Sequence, residues 1–191
     1  MKAKNKKIKL RYGENPNQKA FLIKNSDKTI FNYQISGKKI SYNNLIDLDS
    51  GLKCLAEFHE PTSIIIKHTN PCGVASAKNI VNAFLNSYNS DPKSAFGGII
   101  LLNRKVNLRL AKKVSEHFFE IIVAPRFNKN ALINLKKRKN LIILRLPDTK
   151  QQILEHKTTL FGDLYQTIDS KKITKKFIEL KSNKKVPLKS V

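Results

Sequence analysis

The chain contains four short apolar runs, and each is separated from the next by a segment with helical spacing of its apolar residues. The runs are SIII (63–66), GGIILLN (97–103), EIIVAP (120–125) and LIILRL (141–146). Strands that are apolar along their whole length are buried on both faces, which is typical of a sheet covered by helices on either side. The pattern therefore predicts an α/β fold, a three-layer α/β/α domain with a largely parallel sheet.

Helices and further strands are predicted around these runs. Leu45, Leu48 and Leu52 recur at helical spacing, and Asn107 is a plausible N-cap. The predicted elements are strands at 19–24 and 29–35, helices at 42–58, 75–88, 107–119 and 128–140, and a turn at Pro71-Cys72-Gly73.

The length of 191 residues favours one domain with a sizeable core. Residues 1–9 are interpreted as a basic N-terminal extension, 10–150 as the domain, and 151–191 as a Lys-rich connector. From residue 171 onward, apolar residues are scattered without a period, which is typical of a connector.

The charge balance is strongly basic, with 37 Lys and Arg against 14 Asp and Glu and a net charge of +23. A basic surface attracts nucleic acid, and binding to it is one alternative function. Only six of the 37 are arginines, however, and base recognition depends on bidentate arginine. The abundance of Lys, Asn and Ile also fits a genome-wide compositional drift. We therefore do not expect nucleic acid to be the partner.

Sequence features of a secreted or membrane protein are not found. No apolar run approaches the ~18 residues that a membrane span needs. The basic N-terminus is not followed by the apolar region of a signal peptide. Cys54 and Cys72 form no close-spaced redox or metal motif. These features predict a cytoplasmic protein with reduced thiols.

Lys67 and His68 follow the first apolar run directly, at the carboxyl end of a predicted strand. Ligands of open α/β sheets gather at the carboxyl ends of the strands. An imidazole can take a proton from an amine that attacks a carbonyl, and an adjacent ammonium can stabilise the oxyanion. The pair suits acyl or formyl transfer. By pattern alone, a histidine that caps a turn beside a solvated lysine explains it at least as well.

Other chemistries fit less well. Pro71-Cys72 lacks the second thiol of a zinc deaminase, and no His-x-Glu precedes it, so no metal is expected. As a nucleophile Cys72 would need an activating base, and a buried, inert thiol is the simpler interpretation. No glycine loop of the P-loop or dinucleotide-binding kind is present.

Five motifs, in order and in register, resemble one family. They are LRYGENPNQKAF (10–21), SYNN (41–44), KHTNPCGVA (67–75), DPKSAFGGII (91–100) and IIVAP (121–125). Together they resemble the AICAR transformylase region of the bifunctional purine-biosynthesis family. The resemblance implies a cytidine-deaminase-like fold, formyl transfer from the co-substrate 10-formyltetrahydrofolate to the AICAR nucleotide, and a homodimer. It implies no metal.

The resemblance also implies roles for individual residues. His68 matches the acid/base and Lys67 the stabiliser of the transition state. The substrate contacts fall on four positions, Arg11, Tyr12, Gly97 and Glu120. Without the resemblance these would be an exposed arginine, a packing tyrosine, a glycine at a strand entry and a surface carboxylate.

The resemblance covers the first of two similar halves of the transformylase region. We therefore expect the chain to be a fragment, from a split gene, a pseudogene or a partial gene assignment, whose partner is the second half. Alternatives are the whole bifunctional enzyme with IMP cyclohydrolase, an inactive remnant, and a basic nucleic-acid-binding domain.

Overall fold

The computed structural model describes residues 7–23, 29–146 and 154–169. Contacts divide the chain into two compact units, Met1–Lys150 and Gln151–Val191. The elements of the first unit are strands β1 (Lys7–Lys9), β2 (Phe21–Ile23) and β3 (Gln34–Ser36), helix α1 (Tyr42–Leu55), β4 (Thr62–Lys67), β5 (Asn70–Ser76), α2 (Ile80–Ser90), α3 (Pro92–Ala95), β6 (Ile99–Leu102), α4 (Leu108–Ser115), β7 (Ile121–Ala124), α5 (Lys129–Lys136) and β8 (Ile142–Arg145). A 3-10 helix at Ile30–Tyr33 precedes β3.

The described part of the first unit has a six-stranded mixed sheet in the order β3-β8-β7-β6-β4-β5. β6, β7 and β8 are parallel neighbours, whereas β4 is antiparallel to both β6 and β5. Four of the six strands, β5 to β8, consequently point the same way. β1 and β2 form a separate antiparallel pair. The predicted α/β class and mostly parallel sheet are confirmed.

Two apolar layers cover the two faces of the sheet. α2, α4 and α5 bury one set of strand residues, represented by Ile65, Ile100 and Ile122. α1 and the 3-10 helix bury the alternate set, represented by Ile64 and Leu101. The alternation follows from the period of two of a strand, and it explains why every strand residue of β6 and β7 is apolar.

Two predicted elements were wrong. Residues 70–76, which include the expected Pro-Cys-Gly turn and the start of the expected helix 75–88, form the edge strand β5. An edge strand tolerates Pro71 because one side of its backbone needs no sheet partner. Much of the expected strand 29–35 is the 3-10 helix, at whose start the Thr29 amide donates to the Asn32 side-chain oxygen over 2.8 Å. The short helix α3 was not predicted; Asp91 caps it.

The second unit contains an antiparallel hairpin of β9 (Leu154–Thr159) and β10 (Gly162–Thr167), within the segment interpreted as a connector. His156 lies 3.2 Å from the Asp163 carboxylate and stacks on Tyr165 with ring centroids 4.7 Å apart. Leu160 and Phe161 at its tip are fully exposed. No helix among the residues described in either unit is long and apolar enough to cross a membrane.

Candidate active site

Lys67, Gly97 and Glu120 lie along one edge of the sheet. The antiparallel pairing of β4 with β6 places Ile66 opposite Ile99, and parallel pairing places Ile99 beside Ile121. The carboxyl end of β4 therefore meets the amino ends of β6 and β7. Lys67 ends its strand and His68 follows it, as predicted, but the neighbouring strands meet the pair at their amino ends because β4 is antiparallel to β6.

Lys67 reaches across this edge to the turn before β6. Its half-buried side chain donates a hydrogen bond of 2.8 Å from Nζ to the Phe96 carbonyl. One bond uses one of three ammonium donors, so two remain for a ligand. The hydrogen bond holds the Lys67 ammonium charge beside the turn that precedes β6.

His68 and Thr69 form the two-residue turn between β4 and β5. Both residues have left-handed backbone conformations, with φ of 53° and 63°. The His68 side chain is exposed, and no hydrogen bond or ion pair between described residues involves its imidazole. The ring is consequently accessible to a ligand at the same edge as Lys67.

Gly97 lies in the turn that enters β6, with φ of 75°, a conformation that favours glycine. Its amide donates to the Phe118 carbonyl over 2.9 Å. Phe96 and Phe118 pack against each other beside it, with ring centroids 5.1 Å apart and ring planes tilted by 41°, and both side chains are exposed. An exposed aromatic pair next to a glycine backbone can accept a flat ligand. Neither ring was predicted from the sequence, although the Ala-Phe-Gly-Gly motif contains Phe96.

Glu120 is held by two donors from the amino-terminal side of α1. Its Oε1 lies 3.2 Å from the Lys38 ammonium, and its Oε2 accepts a hydrogen bond of 3.1 Å from the Asn44 side-chain amide. Asn44 is buried and also forms the capping box of α1 with Ser41. Neither Lys38 nor Asn44 was predicted. The only signal was Asn44 in the SYNN motif.

Arg11 and Tyr12 lie in the loop between β1 and β2. The Arg11 guanidinium carbon is 5.3 Å from the centre of the Tyr12 ring. The same loop reaches α1, because the Asn43 amide donates to the Glu14 carbonyl over 3.2 Å. Within the described residues, no hydrogen bond or ion pair joins Arg11 or Tyr12 to Lys67, His68 or Glu120.

Cys72 lies on β5. Burial raises the pKa of its thiol, the Asp91 carboxylate raises it further, and Lys67 lowers it by a smaller amount. A raised pKa disfavours the nucleophilic thiolate. Within the residues that the structure describes, no three His, Cys, Asp or Glu side chains form a group that could hold a metal ion.

By its architecture the first unit is an α/β domain with helices on both faces of a mixed sheet. A family model described as the AICARFT/IMPCHase bienzyme matches residues 1–190. The chain belongs to this family.

Curated relatives are much longer than this chain. It is 46% identical over 163 residues to the bifunctional purine biosynthesis protein PurH of Thermoanaerobacter sp. strain X514, covering 84% of this chain and 32% of that protein. It is 42% identical to PurH of Caldicellulosiruptor saccharolyticus, over 90% of this chain and 37% of that protein. It is 43% identical to PurH of Lactococcus lactis, over 81% of this chain and 31% of that protein. The chain thus spans about a third of the length of these relatives.

Proposed function

We propose that the chain takes part in purine biosynthesis by transferring a formyl group from 10-formyltetrahydrofolate to the 5-amino group of the AICAR nucleotide. The observation that carries this proposal is the placement of Lys67, His68, Gly97 and Glu120 at one sheet edge. Family membership and the relatives' name support it. We also propose a cytidine-deaminase-like fold, a cytoplasmic location and assembly as a homodimer.

The proposed transfer forms one C–N bond and breaks another. The AICAR amine attacks the formyl carbon, and the exposed His68 imidazole takes the proton that the amine loses. The Lys67 ammonium, positioned by the Phe96 carbonyl, stabilises the oxyanion with its remaining donors. When the carbon leaves N10 of the folate, His68 returns the proton to that nitrogen. Tetrahydrofolate and formylated AICAR are the products.

The remaining predicted residues contact the nucleotide in this proposal. Gly97 lets the substrate approach the backbone, and Glu120 accepts a hydrogen bond from it. Arg11 suits the phosphate and Tyr12 the base, in line with the resemblance. Since each relative is about three times as long as the matched region, we propose that the folate contacts come from protein outside this chain.

The test is a formylation assay with the chain alone and with the separately expressed remaining region of the Thermoanaerobacter relative. We expect no turnover from the chain alone, because both substrates must be oriented together. Turnover is expected from the mixture and lost in His68→Ala and Lys67→Met. His59→Ala is the matched control, since His59 is exposed but precedes the opposite end of β4. Full activity of His68→Ala would refute the proton-transfer role.

The net charge of +23 favours a second candidate, binding to nucleic acid. If the lysine excess is compositional, binding to duplex DNA should be weak, independent of sequence and lost at physiological salt. Tight, sequence-dependent binding that survives this salt would favour the second candidate.

A further inference from the structure

The β4–β5 turn adopts a backbone conformation that its residues disfavour. A two-residue hairpin turn with positive φ at both positions normally uses Asn-Gly or Gly-Gly. Here the positions are His68 and Thr69, with φ of 53° and 63°. A β-branched residue such as Thr69 is a genuine outlier in this region. Such conformations persist only where the surrounding structure holds them.

Two side chains of α1 hold the turn. The Asp47 carboxylate accepts a hydrogen bond of 2.7 Å from the Thr69 amide, and the Ser50 hydroxyl donates one of 2.7 Å to the Thr69 carbonyl. Residues three apart lie on the same side of a helix, so both side chains can reach the backbone of one residue. Both backbone groups of Thr69 are thereby bound to one helix.

The helix that supplies these contacts is itself closely packed. A Cβ at Gly51 would lie only 2.5 Å from Cδ1 of Leu101 on β6, so α1 approaches the sheet more closely there than any other residue would allow. Leu48 is buried in the same layer. Because the turn is bound to α1 and α1 is packed closely on β6, the central sheet fixes the position of the turn.

We propose that Asp47 and Ser50 are positioning residues that hold the His68–Thr69 turn in its left-handed conformation and so place the His68 imidazole beside Lys67. The inference rests on the proposed function, in which His68 moves the proton. The imidazole is exposed and has no hydrogen bond to other described residues, so the backbone of the turn sets where its Cβ lies and which region the ring can reach. Lys67 is fixed separately, through the Phe96 carbonyl.

The first experiment follows the amide of residue 69 by NMR hydrogen exchange in the unliganded full chain. We expect Asp47→Ala to speed its exchange by about tenfold or more, since a hydrogen bond to a charged acceptor is lost. Asp47→Asn keeps an acceptor and should retain most of the protection. Asp49→Ala is the matched control, because Asp49 is on α1 but pairs with Lys53, 3.3 Å away.

The second experiment separates positioning from general stability. Asp47→Ala should shift the His68 imidazole resonances at fixed pH, and adding Thr69→Gly should restore them, because glycine adopts the left-handed conformation without strain. A merely structural contact would not be rescued in this way. Unchanged imidazole resonances in Asp47→Ala, or exchange at residue 69 no faster than in Asp49→Ala, would overturn the proposal. If Asp47→Ala does not fold, Ser50→Ala supplies the imidazole readout, and Ser50→Ala combined with Thr69→Gly tests the rescue.

A titration with the AICAR nucleotide distinguishes failure of this inference from failure of the proposed function. If the conformation of the turn depends on Asp47 but the nucleotide does not shift the resonances of the site residues, the positioning role is supported and the proposed function is contradicted. If the nucleotide shifts these resonances but the turn does not depend on Asp47, the proposed function is supported and the positioning role is contradicted.

Discussion

We predict that Asn44→Asp destabilises the protein in a pH-dependent way. The side-chain amide of Asn44 donates to Glu120 over 3.1 Å, while its oxygen accepts from the Ser41 amide over 3.1 Å. Aspartate has the same shape and keeps the acceptor, so the capping box survives. It loses the donor and places a second carboxylate against the first, in a position where Asn44 is only 6% exposed. Among the residues that the structure describes, Lys38 is the cation that pairs with Glu120 and remains to neutralise the two carboxylates.

The loss of stability in Asn44→Asp has a lower and an upper bound. Losing a hydrogen bond to a charged group costs about 1.5 kcal/mol or more. The upper bound is protonation of the introduced carboxyl, which then donates to Glu120 in place of the amide. From a reference pKa of about 3.9, protonation costs about 4 kcal/mol at pH 7 and about 1.5 kcal/mol at pH 5. Because the folded protein raises the pKa of the introduced carboxyl, stability is retained at low pH and lost as the pH rises.

The assay is urea unfolding of the wild type and variant, followed by circular dichroism, near both pH values. Asn43→Asp is the control. It makes the same change one residue earlier on α1, at an exposed side chain whose amide donates to the Glu14 carbonyl. A carboxylate there interacts favourably with the helix N-terminus, so the change should stay within about 1 kcal/mol at either pH. Equal costs of Asn44→Asp at the two pH values, or a cost no larger than that of Asn43→Asp, would refute the contact with Glu120.

Three further predictions concern β5 and its neighbours. A Cβ at Gly73 would lie 1.9 Å from the Ser87 carbonyl oxygen of α2, so Gly73→Ala should lower the free energy of unfolding by about 1–3 kcal/mol or more; an unchanged urea midpoint would contradict the close approach. Burial and, to a smaller extent, Asp91 raise the pKa of Cys72, so its alkylation should accelerate only at a pH above the usual thiol pKa. Fast alkylation at neutral pH would instead indicate an activated thiol. Hydrogen bonds from Ser94 lower the pKa of Asp91. The stability difference between wild type and Asp91→Ala should therefore be present near neutral pH and vanish as the pH falls through the folded pKa of Asp91. A difference that persists in acid would show that the Asp91 charge is not its cause.

The central strands were predictable because their residues are apolar on both faces. β6, β7 and β8 fall within the predicted runs, and the N-cap at Asn107, which accepts from the Leu110 amide, is confirmed. Strand direction was not predictable in this way, since the central isoleucines of β4 form the same kind of apolar run as the parallel strands. β5 was missed because Pro71 and Gly73 are turn residues by local preference, and only the packing of Gly73 on α2 and the edge position explain them.

The candidate site was predictable to the extent that a motif carried each residue. Lys67 and Gly97 lie in two of the motifs and Glu120 directly precedes a third, and the pairing of β4, β6 and β7 places all three residues at one edge. Their roles in binding and transfer stay predictions. Lys38 and Asp47 could not be found by sequence reasoning, because their contacts with Glu120 and Thr69 join segments far apart in the chain.

The edge strand β3 has a consequence for the order of folding. In the described sheet it pairs only with β8, where Gln34 lies opposite Leu144, so the contact closes a loop of about a hundred residues. The β4–β5 hairpin and the connections from β6 to β8 are far more local, and local contacts form sooner. We therefore expect β3 to dock after the central sheet has formed. Lys38 lies two residues after the end of β3, so the ion pair with Glu120 would be completed late, after the edge that carries Lys67 and Gly97 is in place.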